Sequence, residues 1–573
     1  MCAFSCPGTP YFCGCPIRRT IMKIPSKAYN DIRELIFKDP LTAFMTLLLT
    51  IGLAIFIVYP ILLVFFKSIV VQGVFSLDLY ADFFRKRIHY RALNNSMILA
   101  CIVTPITVFL SFVFAYMVNR GPRLLRRFFR FNALIPFVTP PFVFALALII
   151  MGGRQGLLSK FFGIDYSLFG WSGVILAQVL HFIPLCFIMI DSVMNSLNPN
   201  LDEASGILGG SQTHTLFHIS IPLCMPGILK SGLMVFILSL ADFGNPALIG
   251  GGLQFLASES YILVIGQYDL GMASVYSIML LIPSLILYVF HKYAIREEKY
   301  VTVMGAPGQR EEIRVSPIIQ IPMLIICCLT SLAILSIFVV IVVGAFTKII
   351  GINNTFTMQH FSMTSSLLFF KNSLIMSFYA AVIGTFAGTI LAYFIMRKTI
   401  PGKHVIEFTS LLGFAVPGTI IGIGYILAFN KPPLFLSGTM TIIVLTMISR
   451  TIAVSVEAGT AKLLQLDRSI EEASHTLGAN SAHTFYRITL PLMFTAFFGS
   501  MIYSFIHSMN TLSAVIFVTS PRYMIAPVAI FQLASEGRIG QACALSIFLI
   551  ICVFASLLLM YYVLKRLGAK GIQ

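Results

Sequence analysis

The sequence is short of charge. Only 11% of its 573 residues are Asp, Glu, Lys or Arg, whereas a soluble domain carries about a quarter. With 58% hydrophobic residues and a mean hydropathy of +0.91, that deficit excludes a water-soluble core and requires a polytopic membrane protein. The eleven Cys offer no disulfide framework, because most lie singly in apolar runs, where Cys is a small hydrophobe. Cys2, Cys6, Cys13 and Cys15 cluster at the start, but their spacing is not a paired C-x-x-C, and no metal site is assigned. No G-x4-G-K-[S/T] occurs, which excludes ATP binding by a Walker loop. No H-E-x-x-H occurs and the ten His are scattered, which leaves a membrane enzyme without a catalytic constellation. The first 21 residues lack a signal-peptide apolar core. MKIPSKAYNDIREL from Met22 reads as an ordinary cytosolic start, so residues 1–21 are expected to be an upstream extension of the reading frame.

Long apolar runs are what the chain does have. About 20 helical residues cross roughly 30 Å of hydrocarbon, and only helices or closed barrels satisfy their backbone there. The runs are continuous in Leu, Ile, Phe and Val rather than alternating, which selects helices over a barrel. Twelve spans are expected, near 42–67, 94–118, 132–152, 171–194, 227–249, 273–293, 318–346, 372–396, 405–429, 438–457, 494–518 and 540–564. With the N-terminus inside, Arg120, Arg123, Arg126, Arg127 and Arg130 fall in one inside loop, and Lys565, Arg566 and Lys570 in an inside tail. The segment RKRIHYR at 85–91 is the exception. This positive-inside bias accounts for the formal charge of +17 and calls for no nucleic-acid partner.

The chain is a duplication. LDEASGILGGSQTHTLFHISIPL at 201–223 aligns without gaps with IEEASHTLGANSAHTFYRITLPL at 470–492. At this offset of 269, Glu203, Ala204, Ser205, Gly209, Thr215 and Pro222 match Glu472, Ala473, Ser474, Gly478, Thr484 and Pro491. Upstream, an offset of 277 pairs Asn95-Ser96 with Asn372-Ser373, Arg120 with Arg397 and Pro140 with Pro417. A longer outside loop at 151–170 explains the difference. The expected organisation is a cytosolic segment 1–41, a first half 42–293, a polar linker 294–317, a second half 318–564 and a cytosolic tail 565–573. Each half has an even number of spans, so the repeat is parallel about the membrane normal, with a pathway between the halves.

The repeated segment is polar and, by span counting, cytosolic. Asn198 and Pro199 open a helix that Gly209-Gly210 ends in a left-handed cap. Ser211 then caps a second helix, expected to end before Ile221-Pro222. In the second copy Asp467 caps, Gly478 breaks, and Asn480 or Ser481 caps again. Ala204-Ser205 and Ala473-Ser474 are small and allow close approach of another surface. Homologous surface loops ordinarily drift, yet these match better than much of the spans, which marks them as interaction surfaces.

Polar groups inside spans cost a few kcal/mol each, which makes them functional candidates. Those in or near spans are His181, Asp191, Asp242, Asn245, Arg450, Glu457, His507, Asn510 and Gln541. Asp191 and Glu457 fall near cytosolic ends and read as structural. His181 and Arg450 occupy matching positions and read as packing or gating residues. Asp242 lies in SLADFGNPALIGG, where Gly244 and Pro246 break the helix after it, and a broken helix suits a pathway wall. The pathway candidates are Asp242, Asn245, Arg450, His507 and Asn510.

The two E-A-S-x3-G segments resemble the EAA motif of ABC importer permeases of the binding-protein-dependent class, with Ser in place of the third Ala. The resemblance covers 42–564. It implies an all-α polytopic fold of two six-span halves, each with a cytosolic coupling helix. It implies that Glu203, Ala204, Gly209, Glu472, Ala473 and Gly478 grip two copies of an ABC ATPase, which binds the ATP; the permease itself is not an enzyme and carries no cofactor. An extracytoplasmic binding protein would deliver the substrate, in a bacterial inner membrane with both termini cytoplasmic. The stretches 239–251 and 508–521 look like ferric-iron permeases; phosphonate permeases are similar, and those for polyamines, thiamine and sulfate more distant. Iron would favour oxygen ligands, Asp242 with Tyr261, Tyr268 or Asp269. 2-Aminoethylphosphonate would favour Arg450. An ATP-independent secondary transporter is the alternative from another class, but it predicts inverted repeats or an ion relay.

Overall fold

The computed structural model describes residues 40–566, apart from 154–155, 159–162, 164–166, 198–199, 295–315, 351, 363–365, 399 and 401. The cysteine cluster, the start at Met22, the Asn198-Pro199 cap and nearly all of the expected linker lie outside the described residues. Among these residues, nine helices are long and apolar enough to cross a membrane, or twelve if each of three bent helix pairs is one span.

Two of the bent pairs correct expected straight spans. The one placed at 132–152 is Arg123–Val138 followed by Phe142–Gly152, bent by 104°; the one at 405–429 is Lys403–Ala415 followed by Gly418–Phe429, bent by 108°. Both breaks fall at the matched Pro140 and Pro417, where a ring without an N–H cannot continue the ladder. The third pair, Ser481–Leu492 and Phe494–Asn510, is bent by 73°, while its counterpart Gln212–Ala241 runs unbroken. The span expected at 227–249 ends at Ala241, and a short helix Gly244–Ile249 follows.

Pro222 and Pro491 do not end the second helix of the repeated loop as expected. Each follows a π-turn, Leu216–Ser220 or Phe485–Thr489, in which Ile221 and Leu490 donate their N–H five residues back. The wider turn gives the proline ring room that an α-turn denies it. The loop helix therefore runs into a membrane span. In the first half it does so without a break, making the loop and the pathway wall one rod.

Small residues set the helix contacts, as packing within lipid favours. In the second half, a Cβ at Gly388 would sit 2.5 Å from Ser455 Cβ, and one at Gly459 2.6 Å from Ala392 Cβ. This seats Ser366–Arg397 against Met440–Leu464. Arg87–Arg120 lies likewise on Trp171–Ser196, with Ser111 Oγ donating to Ile183 O (3.2 Å).

The first span of each half packs on the other half. Tyr425 OH donates to Phe56 O (2.9 Å), Phe56 and Phe429 rings lie 5.7 Å apart, and a Cβ at Gly424 would meet Pro60 O at 2.7 Å. In exchange, Phe338 of the second half stands edge-on to Phe144 of the first, centroids 6.5 Å apart. An antiparallel two-stranded hairpin follows each first span, Val70–Val71 with Val74–Phe75 and Thr347–Ile349 with Asn353–Phe356.

If the exchanged first span clamps the two halves, Gly424→Val drives a side chain into the Pro60 carbonyl and costs about 1–3 kcal/mol. Thermal unfolding of the detergent-solubilised protein should show a lower midpoint. Gly499→Ala, where nothing lies within 4 Å of the added Cβ, should not shift it.

Candidate functional site

The two repeated loops share one construction. Gly209 and Gly478 adopt φ of +79° and +86°, the left-handed cap expected of them. His214 N donates to Ser211 Oγ (3.2 Å) and His483 N to Asn480 Oδ1 (2.8 Å), so both second helices are capped as expected. Asp467 Oδ1 accepts from Ser469 N (3.0 Å), and the hydrogen bonds from Ser469 hold its carboxyl below the usual range. Ser205 Oγ bonds Thr215 Oγ1 (2.7 Å), and Ser474 Oγ bonds Thr484 Oγ1 (2.9 Å). That explains the Ser in the third motif position: it is buried and ties the two helices of each loop together, rather than facing outward. Ala204, Glu472, Ala473, Gly209 and Gly478 are exposed; of Glu203 the structure describes only the backbone, within Asn200–Ile207. Beside them, Leu208 and Leu477 are 86% and 88% exposed. Two leucines are thus bared at matching positions of a polar loop.

Two arginines anchor these loops, a role that sequence reading did not assign. Arg397 Nε pairs with Glu471 Oε1 (3.2 Å) with both side chains nearly buried, and its Nη2 donates to Leu463 O (3.0 Å) and Leu466 O (2.7 Å). Thr489 Oγ1 donates to the same Glu471 oxygen (3.2 Å). In the first half Arg120 Nη1 donates to Ser220 Oγ (2.8 Å). The signal was present as the Arg120–Arg397 match.

The intramembrane candidates converge on a cavity of about 170 Å³ between the halves. Asp242, Arg450, His507 and Asn510 line it, as do His181 and Tyr503. Its walls are the breaks themselves: Phe137–Phe142 and Ala241–Gly244 from the first half, Phe414 and Asn510–Ser513 from the second.

Asp242 ends the Gln212–Ala241 helix. Its Oδ2 accepts from Gln178 Nε2 and from Asn245 Nδ2, each at 2.8 Å, and its Oδ1 receives a long contact from Asn245 N (3.4 Å). Ser239 Oγ donates to Gln178 Oε1 (2.7 Å) and fixes that amide. One carboxylate oxygen is thus saturated by two amides that are themselves fully buried. Asn245 acts through Asp242. Gln178, a lone amide in an apolar helix, went unassigned in the sequence.

Arg450 Nη1 donates to Gly413 O (3.2 Å) and Val416 O (2.5 Å). It supplies donors to carbonyls freed at the 108° break. Asn510 Nδ2 reaches Phe137 O (3.3 Å) across the two halves, and His507 stacks on Tyr503, centroids 5.8 Å apart. His181 Nδ1, Arg450 Nε and Asn510 Oδ1 are buried and make no hydrogen bond.

The remaining candidates lie elsewhere. Tyr261 packs among Phe243, Phe517 and Phe531, Tyr268 is 85% exposed, and Asp269 Oδ1 caps Met272 N (2.9 Å). None joins Asp242, and among the described residues no three of His, Cys, Asp and Glu come together as metal ligands. Asp191 accepts from Asn119 Nδ2 (2.6 Å) and pairs with Arg130 (3.3 Å), a structural role as expected. Gln541 lines a different cavity.

The chain matches the family described as "Binding-protein-dependent transport system inner membrane component" twice, over residues 107–299 and 383–569. It is 31% identical over 520 residues to the ferric transport system permease protein FbpB of Actinobacillus pleuropneumoniae, spanning 88% of this chain and 75% of that protein. To the putative ferric transport system permease protein FbpB 1 of Haemophilus influenzae it is 34% identical over 487 residues, 81% of this chain and 76% of that one. A putative 2-aminoethylphosphonate transport system permease protein PhnV of Salmonella typhimurium is 26% identical over 198 residues, 35% of this chain and 75% of that protein. Each family match encloses one repeated loop and one wall of the central cavity. The chain belongs to the binding-protein-dependent inner membrane components, as a multi-pass ABC importer permease with both halves fused in one polypeptide.

Proposed function

We propose that this chain forms the pathway of an ATP-driven importer of ferric iron delivered by an extracytoplasmic binding protein. The observation that carries the reading is the cavity between the halves with its single acid, Asp242, oriented by Gln178 and Asn245. A carboxylate oxygen is the donor type that a hard cation prefers. Arg450 in the same cavity opposes accumulation of cations, which suits a pathway that must release its passenger. The similarity to two ferric permeases along most of the chain supports the same substrate. The phosphonate reading draws on a relative matched over 35% of the chain and on Arg450, whose Nη1 already serves two backbone carbonyls.

The two loops dock two ATPase copies, one each, through Glu203, Ala204, Gly209, Glu472, Ala473 and Gly478, with Leu208 and Leu477 seated alongside. Both termini lie on the cytoplasmic side, and 42–293 and 318–564 are the two permease halves. Closure of the ATPase dimer then moves the halves as near-rigid bodies and turns the cavity from one side of the membrane to the other.

Three measurements check this. With its ATPase and binding protein in liposomes, Fe(III) should stimulate ATP hydrolysis and 2-aminoethylphosphonate should not; stimulation by the phosphonate alone would reject iron and keep the architecture. Asp242→Ala should lower Fe(III) uptake about tenfold, the scale of one lost charged contact, and unaltered uptake would remove Asp242 from the pathway. Glu203→Arg combined with Glu472→Arg should leave the permease folded in the membrane but detach the ATPase. Normal co-purification of ATPase with that double variant would sink the docking assignment.

A further inference from the structure

A second cavity, of about 440 Å³, opens on the face opposite the coupling loops. There the Phe142–Gly152 helix of the first half meets Pro317–Phe346 and Ile539–Arg566 of the second. Lys348, His360 and Arg538 contribute to its wall, and among the described residues no Asp or Glu does. His360 Nε2 bonds Thr347 O (3.0 Å), which fixes the ring. The ring fits because residue 540 is glycine: a Cβ there would meet His360 Nε2 at 2.4 Å. Gln541 Oε1, also at the wall, is buried without a hydrogen bond. Glu536 approaches Arg538 to 3.6 Å, but both side chains are about half exposed, and a pair so solvated binds weakly.

The duplication supplies an internal control. Gly271 is the counterpart of Gly540, and a Cβ on it would meet Leu79 Cδ1 (3.2 Å) and Asp269 Oδ1 (3.4 Å). Against this glycine Leu79 takes the place that His360 takes against Gly540, and Asp269 matches Arg538 at the offset of 269. At the same offsets Val71 replaces Lys348 and Met272 replaces Gln541. The first half closes this corner with an apolar side chain and uses its acid to cap Met272 N. The second half keeps a cavity and has exchanged each of these positions for a cation, an imidazole or an amide. Packing does not require that change, since the first half is built without it.

We infer that this cavity binds a small oxyanion, a phosphate or a carboxylate. Lys348 and Arg538 supply charge and N–H donors, and His360 fixes one edge. The same chemistry is offered by a free anion or by a phospholipid headgroup at the membrane surface. The inference stands apart from the iron reading, because its test reads binding rather than transport.

The full-length chain in nanodiscs of zwitterionic lipid is titrated with radiolabelled phosphate and with citrate, and again after phosphatidylglycerol is added to the nanodisc. Saturable binding of phosphate or citrate is expected. Lys348→Gln with Arg538→Gln should raise its Kd about tenfold or more, since each removes a charge-assisted bond. Both side chains are exposed, so the double variant should fold; His360→Leu, which installs the first half's solution, should weaken binding without loss of folded protein. Competition by phosphatidylglycerol that the double variant loses would identify the oxyanion as a headgroup and uphold the site. No saturable binding of any of the three probes, or equal affinity in the double variant, would overturn it.

Discussion

A helix that breaks inside a membrane releases backbone polar groups, and lipid cannot satisfy them. The centre of this protein is organised by that constraint. The 104° and 108° breaks and the termini at Ala241 and Asn510 are turned toward one another. Arg450 reaches back to the carbonyls of Gly413 and Val416, Asn510 bonds the carbonyl of Phe137, and Asp242 receives Asn245. Side chains that satisfy the broken backbone are the same ones that make the cavity polar. A polar cavity thus appears where spans break, and these breaks face protein rather than lipid.

The duplication then sets how force reaches that centre. Each repeated loop is a rigid pair of helices, bonded internally through Ser205–Thr215 or Ser474–Thr484, and its second helix continues into a wall of the cavity. Arg120 and Arg397 fasten the loops to the ends of neighbouring spans. The halves are not mirror copies in function, however. The acid of the cavity comes from the first half and the arginine from the second, and the second half alone bends its loop-bearing span by 73°. The exchange of first spans binds the halves together at their flanks.

Much of this was legible in the sequence because its causes are local or repeated. Span number follows from apolar length, the loop caps from Gly209, Gly478, Ser211 and Asn480, and the candidate pathway residues from the cost of polar groups in lipid. What was not legible depends on tertiary context. Pro105, Pro184, Pro226, Pro283 and Pro322 sit inside unbroken helices, while Pro140 and Pro417 mark real breaks; proline alone does not distinguish them. The π-turns that carry helices past Pro222 and Pro491 leave no periodic trace. Leu256–Ile265 and Ala526–Ser535 are too short to read as spans. The partner of an all-round apolar helix such as Thr42–Ile69 cannot be read from its residues, so the exchange of first spans was invisible. Tyr261 and Asp269 were plausible cation ligands by type, but the fold uses them for packing and capping.

The central claim is that both loops drive the halves as near-rigid bodies. The most direct measurement is the distance between nitroxides at positions 208 and 477, introduced after replacement of the native cysteines, in the permease assembled with its ATPase. Pulsed electron-electron resonance should give one distance distribution without nucleotide and a shifted one on ATP binding, with a matching shift between labels on the Met440–Leu464 and Trp171–Ser196 helices. An unchanged loop-to-loop distance while the pathway helices rearrange would contradict the account.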